Sequence, residues 1–389
     1  MVKAAVRRIA LVIGQDVTFC RNVIRGVRAY ALDKPEWLFR NGPPDAATVR
    51  ACRQWNPDGI IAHLGTAALA RQILRLGKPV VDVACVLPKV GVPVVDVDHR
   101  AVGRLAADYL LNRGFQTFGF YGSREAYYSR LREQSFVERL AEAGYSVSSC
   151  YGEYLPDLPG ASHWQGVEQR VQKWLVELPK PAAILAANDI PARYLADQCR
   201  QLGLRVPDEV ALLGVDDDEF ECTLCSPPLS SVAIPSEKIG WEAARLLEEM
   251  MSGQPAPSEP LYLPPLGVIT RQSTDTLAIG DPVVAAALQF IRRWAHEEID
   301  VSMVAEEAQV ARRTLECRFR RLLGRTVLEE IRRYRVELAK QLLAHTDLDM
   351  AEVARRSGFA NAQRLALVFR QLTGQTPTSY RRQARPYPR

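Results

Sequence analysis

The sequence has no run of about eighteen consecutive apolar residues, which is the least that a transmembrane helix needs. Its hydrophobic content of 47% and charged content of 24% are those of a globular protein. The apolar run Ile9–Ile13 is too short for a secretory signal and precedes no small-residue cleavage site, so it predicts a first β-strand. We therefore expect a cytoplasmic protein without a membrane span.

Cysteine and histidine are also scarce, with eight and five residues among 389. Cys222 and Cys225 form a C-x-x-C pair, but a structural zinc site needs a second ligand pair and the sequence has none nearby. A glycine-rich phosphate loop, a nucleophile elbow and a metal-ligand cluster are all missing from the sequence. These absences argue against an enzyme, and we expect no cofactor and no metal. The cysteines are expected to be small buried side chains.

Basic charge is concentrated at the end of the chain. Residues 281–389 contain 20 Lys and Arg against 13 Asp and Glu, a net charge of +7. The totals of 50 and 45 leave 30 and 32 for residues 1–280, a net charge of −2. A basic excess confined to one segment favours contact with a polyanion, although such a surface is often only solvated.

The first 275 residues alternate short apolar runs with amphipathic stretches, which is typical of parallel sheets covered by helices on both faces. The predicted strands are Arg8–Ile13, Gly59–His63, Val80–Val83, Thr117–Tyr121, Ala182–Ala187 and Val210–Val215. The predicted helices are Phe19–Leu32, Arg100–Arg113, Arg132–Ala143, Trp164–Glu177, Pro191–Leu202 and Ser236–Met251. We predict an α/β domain of two lobes over residues 1–275, with a ligand cleft at the carboxyl ends of the strands.

Polar residues stand at the ends of these predicted strands. Asp16 follows the first strand, Asn188 and Asp189 follow a later one, and Asp216 follows a third. Carboxylates and an amide that converge on one cleft suit a neutral polyhydroxylated ligand, since they can bond its hydroxyl groups. The alternative is that these residues cap helices, and for Asp189 the two interpretations are equally good. Two histidines are expected near the edge of this cleft, and a structural role is favoured for both: His63 and His99.

Four stretches of this region resemble the LacI/GalR family of regulators, whose effector domain is a two-lobed sugar-binding fold. They are V-D-V-D-H-R-A-V-G-R-L (95–105), A-N-D-I-P-A (187–192), G-V-D-D-D-E-F (214–220) and S-V-A-I-P-S-E-K-I-G (231–240). The resemblance implies ligand contacts from Arg132, from Asp216 and from Asn188 or Asp189, with Asp16 where the first loop enters the cleft. These regulators normally begin with a DNA-binding helix-turn-helix. This sequence begins at the first strand, so we expect the DNA-binding unit elsewhere.

The alternation stops after residue 275, and the remaining segment contains an internal repeat. F-R-R-L-L-G-R-T (319–326) recurs as F-R-Q-L-T-G-Q-T (369–376), an offset of 50 residues. Upstream, V-A-E-E-A-Q-V (304–310) matches V-A-R-R-S-G-F (353–359). Two copies of a helix–turn–helix–glycine pattern predict two DNA-recognition units, at about 300–323 and 349–372. A helical oligomerisation bundle is the alternative.

Each unit is predicted to place one helix in the major groove. These helices, at about 312–323 and 362–372, are predicted to bury Leu315, Phe319 and Leu322 in the first unit and Leu365, Phe369 and Leu372 in the second. The side chains left to face DNA are Arg312, Arg313, Glu316, Arg320, Gln363 and Arg364. Between the units, Val327–Leu343 predicts one helix of about 25 Å, a spacer that could hold two recognition helices in successive grooves.

The closing stretch G-Q-T-P-T-S-Y-R (374–381) is similar to the signature of the AraC family, and the resemblance covers residues 282–385. It implies an all-α DNA-binding domain over residues 276–389. The sequence departs from many members at Cys317 and Leu367, where an arginine often enters the groove. Since leucine cannot hydrogen-bond a base, we expect the second unit to make mainly phosphate and shape contacts.

A LacI-type effector domain followed by an AraC-type DNA-binding domain resembles the xylose-operon activators. The resemblance implies a sugar-responsive activator that binds a double-stranded operator as a homodimer, contacts RNA polymerase and responds to a pentose, with D-xylose favoured. We expect the sugar to close the cleft and so reposition the DNA-binding domains of the dimer. The alternative is a regulator that responds to another sugar or to no ligand.

Overall fold

The computed structural model describes residues 6–152, 164–276 and 281–384. The strands that are buried at every position include β3 (Gly59–Ala62), β8 (Ala182–Ala186) and β10 (Ser230–Ala233). Strands without an exposed face need helices on both sides of their sheet. The alternation of strands and helices predicted for this region is therefore confirmed.

The first lobe is built on a parallel sheet in the order β2-β1-β3-β4. Its elements are β1 (Arg7–Val12), α1 (Thr18–Tyr30), β2 (Trp37–Gly42), α2 (Ala46–Trp55), β3, α3 (Ala67–Leu74), β4 (Val80–Asp82), β5 (Val95–Val97), α9 (Ser236–Met251) and β11 (Leu261–Leu263). β5 pairs with β11 in parallel, and Val94 bridges to Asp82. The bridge places this pair beside the edge of the sheet.

The second lobe is built on a sheet in the order β12-β10-β9-β8-β6-β7, in which β12 runs antiparallel to its neighbour and the other pairs are parallel. Its elements are α4 (His99–Leu111), β6 (Thr117–Gly122), α5 (Tyr127–Glu142), β7 (Val147–Tyr151), α6 (Trp164–Glu177), β8, α7 (Asp189–Gln201), β9 (Val210–Asp216), α8 (Glu219–Leu224), β10 and β12 (Gly267–Ile269). A 3-10 turn follows at Gln272–Thr274.

The described chain passes between the lobes at three places: from β5 to α4, from β10 to α9, and from β11 to β12. The first passage is very short, because Asp98 ends the extended segment and caps α4 by accepting a hydrogen bond from the amide of Ala101 at 3.0 Å. Since all three passages lie side by side, the cleft between the lobes opens on one side of them.

The rest of the described chain is helical. Its elements are α10 (Pro282–Trp294), α11 (Val301–Glu307), α12 (Arg312–Leu323), α13 (Val327–His345), α14 (Met350–Arg356), α15 (Ala362–Thr373) and α16 (Pro377–Ala384). The predicted fold class, a two-lobed α/β domain followed by an all-α double helix-turn-helix, is confirmed. Among the described helices, none combines the length and the apolar character that crossing a membrane requires.

Helix α13 joins two separate hydrophobic cores. Its first half contributes Val327 and Ile331 to the core beneath α10–α12, and its second half contributes Val336 and Leu343 to the core beneath α14–α16. At 1.5 Å per residue its 19 residues extend about 28 Å, slightly longer than predicted. A capping box between Thr326 and Glu329 fixes its start.

The predicted buried stripes of the two recognition helices are partly wrong. Phe319 and Phe369, which occupy equivalent places in the repeat, are fully buried as predicted. Leu322 and Leu372 are instead 45% and 47% exposed. Each lies in the last turn of its helix, just before the left-handed glycine that ends it, and that turn extends beyond the core.

Helices α1 and α9 cross backbone against backbone at a pair of glycines. A Cβ atom added at Gly26 would lie 1.8 Å from the carbonyl oxygen of Glu237, and one added at Gly240 would lie 1.9 Å from that of Val23. The Gly26→Ala substitution is therefore expected to lower the free energy of unfolding by about 1–3 kcal/mol, measured by chemical denaturation. The control is Gly65→Ala, where an added Cβ meets nothing within 4 Å. Equal stability of the two variants would contradict this crossing.

Candidate functional site

The guanidinium of Arg132 lies at the floor of the cleft, on α5, and only 2% of this residue is exposed. Its Nε donates to Nδ1 of His99 at 3.3 Å, and one terminal nitrogen donates to the carbonyl of Ala187. The other terminal nitrogen lies 3.5 Å from Oδ1 of Asp216. The ring of Tyr128 packs under the guanidinium, 5.1 Å from its centre. These contacts satisfy the buried cation and fix its orientation.

Asn188 and Asp216 meet at the carboxyl ends of β8 and β9. The Asn188 amide donates from Nδ2 to Oδ2 of Asp216 at 2.7 Å. Its Oδ1 is buried and has no hydrogen-bond partner among the described residues, so it is available to a hydroxyl donor. Burial raises the pKa of Asp216, and this rise is opposed by the charge of Arg132 and by the Asn188 hydrogen bond.

The backbone turns sharply where β9 reaches the cleft. Asp216 and Asp217 both have positive φ, at 108° and 53°, which is rare for residues other than glycine. Asp217 is held by an ion pair with Arg271 at 2.8 Å and by a hydrogen bond from its amide to the hydroxyl of Ser231 at 3.0 Å. Strained backbone of this kind occurs where a binding site requires a particular side-chain direction, and here it aims Asp216 at Arg132.

The buried imidazole of His99 connects Arg132 to the first passage between the lobes. A guanidinium can only donate, so Nδ1 of His99 is an acceptor and Nε2 carries the proton. Nε2 lies 3.2 Å from Oδ2 of Asp96, which therefore accepts this hydrogen bond. The other oxygen of Asp96 accepts from the amide of Val97 at 2.7 Å. Since Asp96 belongs to β5, hydrogen bonds run without a break from the passage to the floor of the cleft.

Three of the described side chains could in principle hold a metal ion, since one ligand atom each from Cys85, Asp96 and His99 lie within 4.8 Å of one another. Both ring nitrogens of His99 are already engaged, by Asp96 and by Arg132. Burial raises the pKa of the Cys85 thiol to about 12, whereas a metal ligand must be a thiolate. The chemistry of the cluster therefore favours a hydrogen-bond network.

The first lobe places Asp16, Cys20 and His63 opposite this network. Asp16 is exposed in the loop after β1, and its carbonyl accepts a hydrogen bond from Arg21 at 3.0 Å. The sulfur of Cys20 lies 3.6 Å from Nδ1 of His63. Burial raises the pKa of the Cys20 thiol to about 12, and the charge of Asp216 across the cleft adds to this effect. The lobes are in contact at this point, since the amide of Thr18 donates to Oδ2 of Asp218 at 3.1 Å.

Sequence reasoning missed Asp82, a buried carboxylate at the end of β4. It is fully buried, and its Oδ1 accepts a hydrogen bond from the amide of Leu64 at 3.1 Å. Its Oδ2 has no partner among the described residues. Burial raises the pKa of Asp82 to about 7. The signal that could have identified Asp82 is a carboxylate near the end of an apolar run. The predicted strand Val80–Val83 includes Asp82, so it is not predicted as a residue of the cleft.

Asp189 is buried at the start of α7, and both of its carboxylate oxygens already accept hydrogen bonds. One of its oxygens accepts from the amide of Asp218 at 2.7 Å, and the other accepts from the hydroxyl of Ser231 at 2.6 Å. Burial raises the pKa of Asp189 well above its usual range. Gly214 leaves room for this carboxylate, because a Cβ there would lie 2.0 Å from Oδ1. Asp189 therefore supports the turn that carries Asp216.

Of the six side chains predicted to face DNA, five are exposed and one, Glu316, is hydrogen-bonded within the domain. Exposed on the two recognition helices are Arg312, Arg313, Arg320, Gln363 and Arg364. Glu316 is half-buried, and its carboxylate accepts a hydrogen bond from the amide of Val327 at 3.4 Å, at the start of α13. Asn361 caps α15 by accepting from the amide of Arg364 at 2.8 Å. Arg312, Arg313, Gln363 and Arg364 lie in the first turn of their helices, whereas Arg320 lies in the last turn of α12.

The helical region packs on the third passage between the lobes. Tyr380, in the closing stretch of the repeat, is buried and donates its hydroxyl to the carbonyl of Leu266, which lies between β11 and β12. Between α12 and α13, Arg325 donates to the side chain of Asn112, just after α4, at 3.2 Å. The helical region is therefore hydrogen-bonded both to a passage between the lobes and to the second lobe.

A polar cleft between two α/β lobes, joined to paired helix-turn-helix units, defines a ligand-responsive DNA-binding regulator. Residues 107–274 match the periplasmic binding protein-like domain family, and residues 304–383 match a helix-turn-helix domain family. The xylose operon regulatory protein of Escherichia coli strain K12 is 30% identical over 383 residues, covering 96% of each chain. That of Haemophilus influenzae is 28% identical over 382 residues, covering 96% of this chain and 98% of the relative.

A solved structure of a xylose-binding transcription activator superposes with a TM-score of 0.63 at 28% identity, over 98% of this chain and 99% of that one. The chain therefore belongs to the family of the xylose operon regulatory proteins, and it is a sugar-responsive, DNA-binding regulator of transcription. The family resemblances of both halves of the sequence are confirmed.

Burial of Asp82 has a measurable consequence for stability. The folded state holds the proton up to about pH 7, whereas an unfolded aspartate loses it near pH 4, so the folded state binds more protons between these values. The free energy of unfolding should therefore fall as pH rises through this window, by about 3 kcal/mol between pH 5 and pH 8 for this group. In Asp82→Asn that contribution should vanish, as measured by denaturation at each pH.

The exposed Asp33→Asn of the same lobe is the control and should keep the wild-type pH dependence. An Asp82→Asn variant with the wild-type pH dependence would show that Asp82 does not hold a proton in the folded protein.

Proposed function

We propose that the chain binds D-xylose in the cleft between its lobes and activates transcription of pentose catabolic genes. The observation that carries this proposal is the cluster of Arg132, Asn188 and Asp216 at the carboxyl ends of β8 and β9. The identity of the sugar is supported by the relatives, which are named as regulators of a xylose operon and as a xylose-binding activator.

Charge balance in the cleft favours a neutral ligand. The carboxylate of Asp216 lies 3.5 Å from the guanidinium of Arg132, so this pair offers hydrogen bonds with little net charge. Asn188 Oδ1 is a buried acceptor that suits a hydroxyl donor. The buried carboxyl of Asp82, whose pKa is raised to about 7, can accept from a hydroxyl when ionised and donate to one when protonated. A phosphorylated sugar would bring its negative charge close to the carboxylates of Asp16 and Asp216, which disfavours it.

Groups on both lobes would hold the sugar, so binding favours closure. Asp16 and Asp82 belong to the first lobe, and Arg132, Asn188 and Asp216 belong to the second. A ligand that bonds both sets binds the closed form more tightly and shifts the population toward it. Asp189 takes the supporting role that its contacts with the Asp216–Asp218 turn indicate.

We place the two domains at residues 1–275 and 276–389. Closure of the cleft would change the position of the DNA-binding helices through the contacts between these domains. The hydrogen bond between Tyr380 and Leu266 and the contact between Arg325 and Asn112 connect the helices to the second lobe and to a passage between the lobes. In a homodimer, this connection would reset the spacing of four helix-turn-helix units and so change which operator and RNA polymerase contacts are made.

The first unit would read bases, because Arg312, Arg313 and Arg320 are exposed on α12. Gln363 and Arg364 would contact DNA from the second unit. Glu316 would position α12 against α13, as its hydrogen bond to Val327 supports. Phosphate contacts from the remaining arginines would fix the register on the duplex.

Calorimetric titration of the full chain with D-xylose, L-arabinose, D-ribose and D-glucose tests the sugar. We expect D-xylose to bind, and we expect Asp216→Ala to weaken its affinity at least about tenfold while operator affinity without sugar stays unchanged, since a hydrogen bond to a charged group is lost. Asp197→Ala, which removes a carboxylate of α7 whose side chain is 46% exposed, should bind as the wild type does. Absence of heat with all four sugars, or unchanged D-xylose affinity in Asp216→Ala, would refute the assignment.

Arg313→Ala tests base reading by α12. We expect operator affinity to fall about tenfold or more and affinity for unrelated DNA to fall much less, because an arginine on a base edge discriminates sequence. Both constants can be measured by fluorescence anisotropy, with Arg356→Ala on α14 as an exposed arginine outside the recognition helix. Equal losses on both DNAs would make Arg313 a phosphate contact.

A further inference from the structure

The exposed face of α15 has an apolar centre. Leu367 is 51% exposed, more than any other large apolar side chain described in residues 281–384. The exposed side chains around it are Gln363, Arg364, Arg370 and Gln371. At about 100° per residue, these four lie within about 60° of Leu367 around the helix axis. A leucine therefore stands in the middle of a polar and positively charged face.

The core of the second unit does not account for this leucine. Leu365, Val368 and Phe369 of the same helix are at most 2% exposed and supply its share of the core. Leu367 lies on the opposite face of the helix and is not part of this core, so it contributes little to the stability of the fold. Single exposed leucines are common, so its position within the face is what matters.

The first unit has the same layout 50 residues earlier. Cys317, exposed at the equivalent position of α12, is surrounded by exposed Arg313, Thr314, Arg320 and Arg321. Each recognition helix thus combines a weakly polar centre with flanking groups that can bond phosphates and bases. The flanking arginines complement DNA in charge, and this selects a nucleic acid as the occupant of the face.

We propose that Leu367 packs on the 5-methyl group of a thymine in the major groove, so that the second unit reads sequence through an apolar contact. Thymine alone among the four bases presents a methyl group there. Arg364 and Arg370, on either side, would hold the helix to the duplex. The inference rests on the proposed role of α15 as a DNA-reading helix, and it replaces the expectation that this unit makes mainly phosphate and shape contacts.

The test begins by selecting binding sequences from a randomised double-stranded DNA library with the full chain. Each thymine of the selected duplex is then replaced singly by deoxyuridine, which removes the methyl group and leaves every hydrogen-bonding atom. At one or two positions, we expect this replacement to weaken wild-type binding about fourfold, the effect of burying one methyl group. Leu367→Ala should lose a similar factor on the thymine duplex and bind both duplexes equally at those positions.

Leu372→Ala is the matched control, since Leu372 is 47% exposed on the same helix but lies about 140° away from Leu367 around the axis. It should keep the wild-type ratio between thymine and deoxyuridine duplexes. A Leu367→Ala variant with the wild-type ratio at every position, or a wild type that is indifferent to every replacement, would overturn the inference while the DNA-binding function stands. If the full chain selects no sequence at all, the proposed function fails and the inference fails with it.

Discussion

The ligand cleft depends on the burial of a single cation, the guanidinium of Arg132. A buried charge is tolerated only when acceptors surround it, and here they come from three separate elements. His99 begins α4, Ala187 follows β8, and Asp216 ends β9. Because His99 in turn donates to Asp96 on β5, the same network that orients the ligand groups also holds the first passage between the lobes. Under the proposed function, a sugar that changes the environment of this guanidinium would act on the first passage between the lobes as well as on the cleft.

The parts of the fold that the sequence predicts are those whose pattern shows burial directly, such as the apolar strand at 182–187. The sequence does not predict β10, because serines such as Ser230 and Ser231 are usually exposed. Both are fully buried here, and each hydroxyl donates a hydrogen bond. The recognition helices were placed correctly from the repeat. The prediction that Leu322 and Leu372 are buried is wrong, because periodicity shows which face of a helix a residue occupies but not where the core ends.

The candidate site was predicted only in part. Asn188 and Asp216 follow strands and could be found by that rule, whereas Arg132 came from family resemblance alone. Asp82 is not predicted because the sequence places it inside a strand, and its unpartnered buried oxygen supports the proposed contact with the ligand. Hydrophobic periodicity is a local property of the sequence, so it cannot predict contacts between distant segments. The hydrogen bond from Tyr380 joins residues 114 positions apart, and it carries the connection between the hinge and the DNA-binding helices.

The central claim is that one conformational equilibrium links the cleft to the recognition helices. Linkage requires that sugar and operator change each other's affinity by the same factor. The most direct measurement is the dissociation constant of D-xylose for the full chain, by calorimetry, with and without saturating selected operator duplex. We expect operator to tighten D-xylose binding by the factor by which D-xylose tightens operator binding. A D-xylose affinity that is identical with and without operator would contradict the account.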